Sequence, residues 1–320
     1  MRAVVLAEVG PPEALVVAEA PEPVPGADEV LVDVEYANIT FVETQVRAGR
    51  PPRPEMLPAL PAILGNGVGG MVAAVGPGVR DALLGRRVVA SLTGVGGYAE
   101  RAVADVSRLI ELNCEMPMRD AVALLSDGRT AVGLIRLAAP QPGETVLVEA
   151  AAGGVGTLLV QLAGRAGARV IALAGGEGKL AVARELGADV VIDYREDGWT
   201  RHLDPGAADV VFDGVGGSVG LAAFALLGSG GRFCPFGMAS GSFAPVSAEA
   251  AAARGVTIRR AAPSTPEELA TLTRTALSEA ERGRLRPVIG QEFALEDAAA
   301  AHAAIEGRET IGKTLLAVRR

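Results

Sequence analysis

The residues of this chain best suited to chemistry form a turn of small side chains, Ala151-x-Gly153-x-x-Gly156. A strand pattern, Thr145–Glu149, precedes the turn, and an apolar helical pattern follows it. This order is typical of a site for the pyrophosphate of a dinucleotide: Gly153 lets the backbone approach the phosphates, and Gly156 lets the helix pack against the strand. The N–H groups at the helix N-terminus would face the ligand. The predicted phosphate-binding residues are therefore Ala152, Gly153, Gly154, Val155 and Gly156.

The elements around this turn indicate a parallel, doubly wound sheet. Four further strand patterns follow the first: Ala168–Leu173, Asp189–Asp193, Asp209–Asp213 and Gly231–Phe236. A helical pattern, Lys179–Leu186, lies between the second and third strands and ends at Gly187. Alternation of strand and helix predicts an α/β Rossmann domain, which we place at residues 119–262. Its first part is predicted as two helices, Asp120–Leu125 and Thr130–Leu137, ended by Pro140.

The remaining sequence predicts a second domain that is discontinuous in the chain. Up to about residue 115, short strand patterns such as Glu29–Glu35 and Arg87–Ala90 are separated by Pro and Gly, which is typical of an antiparallel, barrel-like region. The tail has the patterns of a helix, a short strand, a helix and a last strand, and it does not continue the regular alternation. We therefore expect residues 263–320 to return to the domain formed by residues 1–118.

Composition limits the classes of function that are open to the chain. Of its 320 residues, 49% are hydrophobic, which is ample for two cores. The formal net charge of −8 argues against a nucleic-acid surface, and no apolar run approaches membrane-spanning length. The two cysteines and two histidines are far apart and lack the spacing of metal ligands. We expect a cytoplasmic protein without a metal ion and without nucleic-acid or membrane partners.

Several motifs together resemble a known family, the zinc-free quinone oxidoreductases (zeta-crystallin-like) of the medium-chain dehydrogenase/reductase superfamily. The matching stretches include Leu64–Val72, Val148–Ala163, Lys179–Tyr194, Asp209–Gly217 and Thr310–Leu316. The resemblance implies a GroES-like catalytic domain and a Rossmann domain, with the nicotinamide held in a cleft between them. It also implies a homodimer joined through the Rossmann domains, and a small-molecule electron acceptor.

Two departures from the family pattern concern the chemistry. Zinc-dependent relatives carry cysteine and histidine–glutamate ligands in the first domain, whereas the corresponding stretch, Leu64–Val68, has no such side chain. Zinc catalysis is therefore not expected. The quinone-reductase branch usually has an Asn near the nicotinamide and a Tyr in its D-T-Y-I-R segment, and Thr40 and Gln45 hold those places here. Neither is a good proton donor near neutral pH, but both can donate hydrogen bonds, so they are the predicted catalytic residues.

The end of the second predicted strand bears on the choice of cofactor. NAD-preferring folds place a carboxylate there, whereas this chain has none until Glu177. By resemblance, Lys179 and Tyr194 would bind the 2′-phosphate of NADPH, while Gly176 replaces the family's serine and offers only its N–H. We therefore predict NADPH as the cofactor. The resemblance assigns further cofactor contacts to Thr130, Val215, Gly216, Phe236, Gly237, Ser240 and Lys313.

Three functions are compatible with these residues. The favoured one is a zinc-independent, NADPH-dependent reductase of quinones or of activated enones and alkenals, since hydride transfer to such acceptors needs little acid from the protein. A second is a pathway-specific enoyl reductase that acts on a polyketide-like or acyl intermediate. A third is a non-catalytic NADPH-binding protein, because the family's Tyr and Asn are absent.

Overall fold

The computed structural model describes residues 1–262 and 265–319, which form two compact units. Residues 1–129 and 265–319 belong to the first unit, and residues 130–262 belong to the second. The predicted boundary after residue 118 lies at the start of a helix that continues past residue 129. The other predicted boundary, between residues 262 and 263, involves a residue that lies outside the described ones.

The bounds of the elements follow the chain order. The strands are β1 (Arg2–Leu6), β2 (Leu15–Glu19), β3 (Glu29–Asn38), β4 (Ala62–Ile63), β5 (Gly67–Val75), β6 (Arg87–Ser91), β7 (Arg101–Asp105), β8 (Leu109–Glu111), β9 (Thr145–Val148), β10 (Arg169–Ala174), β11 (Val190–Asp193), β12 (Ala208–Asp213), β13 (Leu227–Pro235), β14 (Thr257–Ile258), β15 (Ile289–Ala294) and β16 (Lys313–Ala317). The helices are α1 (Phe41–Arg47), α2 (Met118–Ala138), α3 (Gly154–Arg165), α4 (Glu177–Glu185), α5 (Gly217–Phe224), α6 (Ala248–Ala253), α7 (Pro266–Glu281) and α8 (Ala298–Glu306). Within the described part of the chain, none of the helices has the length and apolar character needed to cross a membrane.

Mainly antiparallel sheets build the first unit. One has the order β2-β1-β4, and a larger one has the order β15-β16-β3-β5-β6-β8, with β7 also paired to β3. The C-terminal strands join this sheet because β16 pairs antiparallel with β3. Alternate residues of a strand share a face, and Val30, Val32 and Val34 of β3 accordingly lie together in the buried core. The antiparallel, barrel-like region that the sequence predicts is thus confirmed.

A six-stranded parallel sheet builds the second unit, in the order β11-β10-β9-β12-β13-β14. If the strands of this unit are numbered by their order in the chain, the sheet has the order 3-2-1-4-5-6, which is that of a doubly wound dinucleotide-binding sheet. The central strands β9 and β10 are buried along nearly their whole length, as expected for strands covered on both faces. The strand order reverses between β9 and β12, and ligands bind beyond the carboxyl ends of the strands at such a point.

One predicted pair of helices is wrong. Residues 118–138 form a single helix, α2, rather than two. The apparent break in the sequence pattern contains Gly128, which lies in the middle of the helix. A Cβ atom at this position would lie 2.8 Å from the Cβ atom of Ala276, so glycine here permits close packing of α2 against α7 rather than a turn.

Candidate functional site

The small-residue turn follows β9 at the point where the order of the parallel strands reverses. Gly153 is extended (φ −83°, ψ 171°) and immediately precedes α3. A Cβ atom on Gly156 would lie 2.1 Å from the carbonyl oxygen of Ala150, so the helix passes too close to the turn for any side chain. Gly154 and Val155 are partly exposed, and the first N–H groups of a helix have no partner within it. The turn therefore fits an anionic pyrophosphate, with Ala152 buried at its base.

The carboxyl end of β10 carries the predicted site for a 2′-phosphate. Gly176 precedes α4 with a φ of +94°, which favours glycine and explains why the family's serine is absent. The N–H of Gly176 donates to Oδ2 of Asp193 at 2.9 Å, so this donor is already engaged. The Tyr194 hydroxyl lies 3.5 Å from the position of a Cβ atom on Gly175. Lys179 lies in the first turn of α4, so the three predicted residues occupy one corner of the sheet.

Two charged residues at this corner are absent from the prediction. β10 itself ends without a carboxylate, as the sequence indicated, but β10 and β11 pair in parallel with Ala174 beside Asp193, so the carboxylate of the next strand lies beside that end. The Arg195 guanidinium donates to it from Nε at 3.0 Å and from Nη2 at 2.7 Å. These bonds lower the pKa of Asp193 to about 2, and its charge is neutralised by an exposed cation. Asp193 and Arg195 are close in sequence, but only the register of β10 and β11 reveals that they lie beside Gly176.

Backbone hydrogen bonds join the loops that follow β12 and β13. The N–H of Ser240 donates to the carbonyl of Val215 at 2.8 Å, and the N–H of Gly237 donates to the carbonyl of Asp213 at 3.1 Å. Five residues predicted to contact the cofactor are therefore brought together at the carboxyl end of the sheet: Val215, Gly216, Phe236, Gly237 and Ser240. Thr130, also predicted as a contact, lies half-buried in α2.

A pair of fully buried carboxyl groups, Glu149 and Asp213, supports these loops. Oε2 of Glu149 accepts the N–H of Val215 at 3.1 Å, and Oδ1 of Asp213 accepts the N–H of Gly216 at 2.6 Å. Burial, and then the neighbouring Asp213, raise the pKa of Glu149 well above its ordinary value. Through these two hydrogen bonds the carboxyl groups hold the backbone of the turn after β12.

The first unit contains a second group of polar side chains, here named the Thr40 cluster: Asn38, Thr40, Glu43 and Asn66. The N–H and the hydroxyl of Thr40 both donate to Oε2 of Glu43, at 2.6 and 3.0 Å. Asn66 donates its N–H to Oε1 of Glu43 at 2.8 Å and its Nδ2 to the Thr40 hydroxyl at 3.2 Å. Nδ2 of Asn38 donates to Oδ1 of Asn66 at 2.7 Å. The spacing Thr40-x-x-Glu43 is that of a capping box, a sequence signal that would have identified Glu43.

Burial dominates the electrostatics of Glu43, whose side chain belongs to a residue only 4% exposed. It raises the pKa of Glu43 to about 7, although the hydrogen bonds from Thr40, the charge of Lys313 and the bond from Asn66 all act to lower it. A carboxyl group in this environment is close to half protonated at neutral pH.

Two predicted site residues bind other side chains. Nε2 of Gln45 donates to the hydroxyl of Thr44 at 3.1 Å, and Gln45 is buried in α1. Lys313 forms a buried ion pair with Asp127 at 3.0 Å, so its charge is committed within the first unit. The roles predicted for Gln45 and Lys313, in the reaction and in cofactor binding, stay predictions.

The residues at the position of the family's zinc ligands do not suit zinc. The side-chain amide of Asn66 accepts from Asn38 and donates to Thr40, and a neutral amide is a poor zinc ligand compared with thiolate or imidazole. Across residues 1–262 and 265–319, no group of three or more His, Cys, Asp and Glu side chains has a metal-binding arrangement.

We expect Glu43 to make the free energy of unfolding depend on pH. Its folded pKa of about 7 exceeds the ordinary 4.5, so folding favours the protonated form; that stabilisation is complete below pH 4.5 and is lost as the pH rises to 7. Relative to Glu43→Gln, the wild-type protein should lose about 3 kcal/mol of unfolding free energy across this pH interval. Urea unfolding of both proteins at pH 4.5 and pH 8 measures the change.

Comparing the wild type with Glu43→Gln removes the contribution of His302, whose dependence on pH is opposite to that of Glu43. Burial lowers the pKa of His302 to about 3, so its stabilisation is present above the ordinary 6.5 and is lost as the pH falls. This contribution is common to both proteins and cancels in their difference. A difference in unfolding free energy that is the same at both pH values would contradict the prediction.

Comparisons with known proteins agree with this architecture. A family model described as the alcohol dehydrogenase GroES-like domain matches residues 26–114, and one described as zinc-binding dehydrogenase matches residues 186–316. A quinone oxidoreductase of Pseudomonas aeruginosa is 31% identical, covering 97% of both chains. A 2-haloacrylate reductase of Burkholderia is 31% identical, covering 98% of both. The structure of mycobacterial Rv1454c complexed with NADPH is similar with a TM-score of 0.90 and 35% identity, covering 99% of this chain and 100% of that one.

Proposed function

The chain belongs to the zinc-free quinone oxidoreductase family of medium-chain dehydrogenases and reductases, and we propose that it is an NADPH-dependent enzyme that transfers hydride to a quinone or to an activated enone or alkenal. Bound NADPH would supply the hydride, and the protein would supply binding and orientation. The similar structure of mycobacterial Rv1454c contains NADPH, which supports this choice of cofactor.

The observation that carries the proposal is the cradle at the switch point of the parallel sheet. The turn after β9 approaches α3 so closely that a Cβ atom on Gly156 would overlap Ala150, so this position requires glycine. The N-terminus of α3 follows the turn directly, and its first N–H groups suit a pyrophosphate. At the end of β10, Lys179 and Tyr194 flank Gly176, and Arg195 neutralises the Asp193 carboxylate that accepts the Gly176 N–H. These residues suit a cofactor with a 2′-phosphate.

The acceptor would bind with its oxygen near the Thr40 hydroxyl. Thr40 and Asn66 are half-buried, whereas Asn38 and Glu43 are buried, so Thr40 offers a hydroxyl group that a ligand can reach. A hydrogen-bond donor at this position would stabilise the negative charge that develops on the oxygen of a quinone or enone after hydride transfer. Two relatives, a quinone oxidoreductase and a 2-haloacrylate reductase, are named for activated acceptors of this kind, which supports the proposal.

We expect the protein to oxidise NADPH faster than NADH when given 1,4-benzoquinone, 9,10-phenanthrenequinone or a short 2-alkenal, as followed by nicotinamide absorbance. A crotonyl thioester in the same panel tests the enoyl reductase alternative. Tight NADPH binding without turnover of any acceptor would contradict the proposal and favour the non-catalytic alternative. The homodimer stays a prediction, which sedimentation of the purified protein would test.

A further inference from the structure

A chain of hydrogen-bond donors leads through the Thr40 cluster to one buried carboxyl group. Nδ2 of Asn38 donates to Asn66, Nδ2 of Asn66 donates to the Thr40 hydroxyl, and that hydroxyl donates to Oε2 of Glu43 at 3.0 Å. The planar amides of Asn38 and Asn66 donate in fixed directions, whereas the O–H bond of Thr40 can rotate, so its hydrogen can change direction. Its direction therefore depends on whether Glu43 is ionised.

We propose that Glu43 is the internal proton source of the reduction and acts through the Thr40 hydroxyl on the oxygen of the acceptor. This inference rests on the proposed function. When Glu43 carries its proton, the carboxyl O–H donates to Oγ1 of Thr40, which still accepts from Asn66 through its other lone pair. The Thr40 hydrogen is then free to turn from Glu43 to the acceptor. Glu43 is thus a positioning residue behind the group that contacts substrate.

The proton balance of the step is simple. Hydride transfer delivers two electrons and one hydrogen to the acceptor and leaves a negative oxygen, of the enolate or hydroquinone-anion type. Thr40 gives its proton to that oxygen as Glu43 gives its own to Oγ1 of Thr40, so one O–H bond forms on the product and the carboxyl O–H of Glu43 breaks. Solvent water restores the proton to the buried Glu43 between turnovers by way of the half-buried Thr40 hydroxyl.

Other ionisable groups lie around Glu43 on neighbouring elements. Lys313 faces it from β16 and is held in its ion pair with Asp127 of α2. Tyr98 faces it from the loop before β7, and burial raises the pKa of Tyr98 well above its ordinary value. Beyond Tyr98, at 2.9 Å from its hydroxyl, His302 has a pKa lowered to about 3. Glu43, with a pKa of about 7, is therefore the group that titrates there.

The test is the pH dependence of kcat/KM for a short 2-alkenal in the wild type and in Glu43→Gln. The wild type should lose activity as the pH rises above about 7, the pKa of Glu43. Glu43→Gln should lack this decline and show a kcat lower by about 100-fold, the usual scale for a lost general acid. The KM for NADPH should not change. Thr40→Val should also lose the decline, whereas Thr40→Ser, which keeps the hydroxyl, should retain it.

A second measurement does not depend on turnover. Infrared difference titration of the carboxyl stretch should show a band that titrates near pH 7 in the wild type and is missing in Glu43→Gln. Glu13→Gln, a change at an exposed site in the same unit, should leave both the band and the rate profile intact. Glu43→Asp should recover part of the pH-dependent activity if the carboxyl itself is required.

The outcomes separate this inference from the proposed function. If the wild type reduces the alkenal and Glu43→Gln keeps both its rate and its decline above pH 7, the proton-donor role of Glu43 is wrong and the reductase assignment stands. If the wild type turns over none of the acceptors, the proposed function fails, and the role of Glu43 fails with it. Absence of a titrating carboxyl band in the wild type also overturns the inference.

Discussion

Gly156→Ala should weaken NADPH binding by about 100-fold or more, a loss of roughly 2.7 kcal/mol in binding free energy. The added Cβ atom would lie 2.1 Å from the carbonyl oxygen of Ala150 and 2.8 Å from the Cα atom of Ala151. Both are backbone atoms, so the turn itself must move, and with it the N–H groups that would hold the pyrophosphate. Titration of the variant with NADPH, followed by nicotinamide fluorescence, measures the dissociation constant.

The same helix offers a matched control for this substitution. Gly164 lies in α3 with no atom within 4 Å of the position of its Cβ, so Gly164→Ala changes helix propensity without a clash. We expect an unchanged Kd for NADPH and a free energy of unfolding higher by up to about 1 kcal/mol. Circular dichroism of Gly156→Ala separates a displaced turn from a failure to fold. If the folded Gly156→Ala protein binds NADPH as tightly as the wild type, the turn is not the pyrophosphate site.

Lys179→Ala is expected to raise the KM for NADPH by roughly 10-fold or more while the KM for NADH changes little. A charge-assisted hydrogen bond to a phosphate contributes about 1.5 to 3 kcal/mol to the binding free energy. NADH has no 2′-phosphate, so the substitution removes no such bond from its complex. The position of Lys179 in the first turn of α4, beside Gly176 and Tyr194, supports this contact. Steady-state kinetics with both cofactors and one quinone provide the measurement.

The control for Lys179→Ala removes a cation from another part of the second unit. Arg165 lies exposed in the last turn of α3, at the opposite end of that helix from the phosphate-binding turn. Arg165→Ala should leave both KM values close to those of the wild type. Equal increases for NADPH and NADH in Lys179→Ala would show that Lys179 supports the fold of this corner rather than the 2′-phosphate.

Much of the second unit is predictable because its signals are local. The run from Thr145 to Gly156 contains a strand, a tight turn and a helix start, and each depends on residue types within a few positions. The capping box from Thr40 to Glu43 is local in the same sense. The helix break wrongly predicted at Gly128 shows the limit of such signals. Glycine is needed there because the helix packs closely against Ala276, almost 150 residues away in sequence.

The sequence by itself determined the two-part architecture, the parallel sheet with its dinucleotide turn, and the absence of the family's zinc ligands, because periodicity and glycine spacing act over short distances. Only the tertiary structure decided the charges of the site. Parallel register brings Asp193 and Arg195 to Gly176, and β12 brings Asp213 beside Glu149. Burial by distant strands, which no local pattern specifies, raises the pKa of Glu43 to about 7 and so decides which side chain can hold a proton.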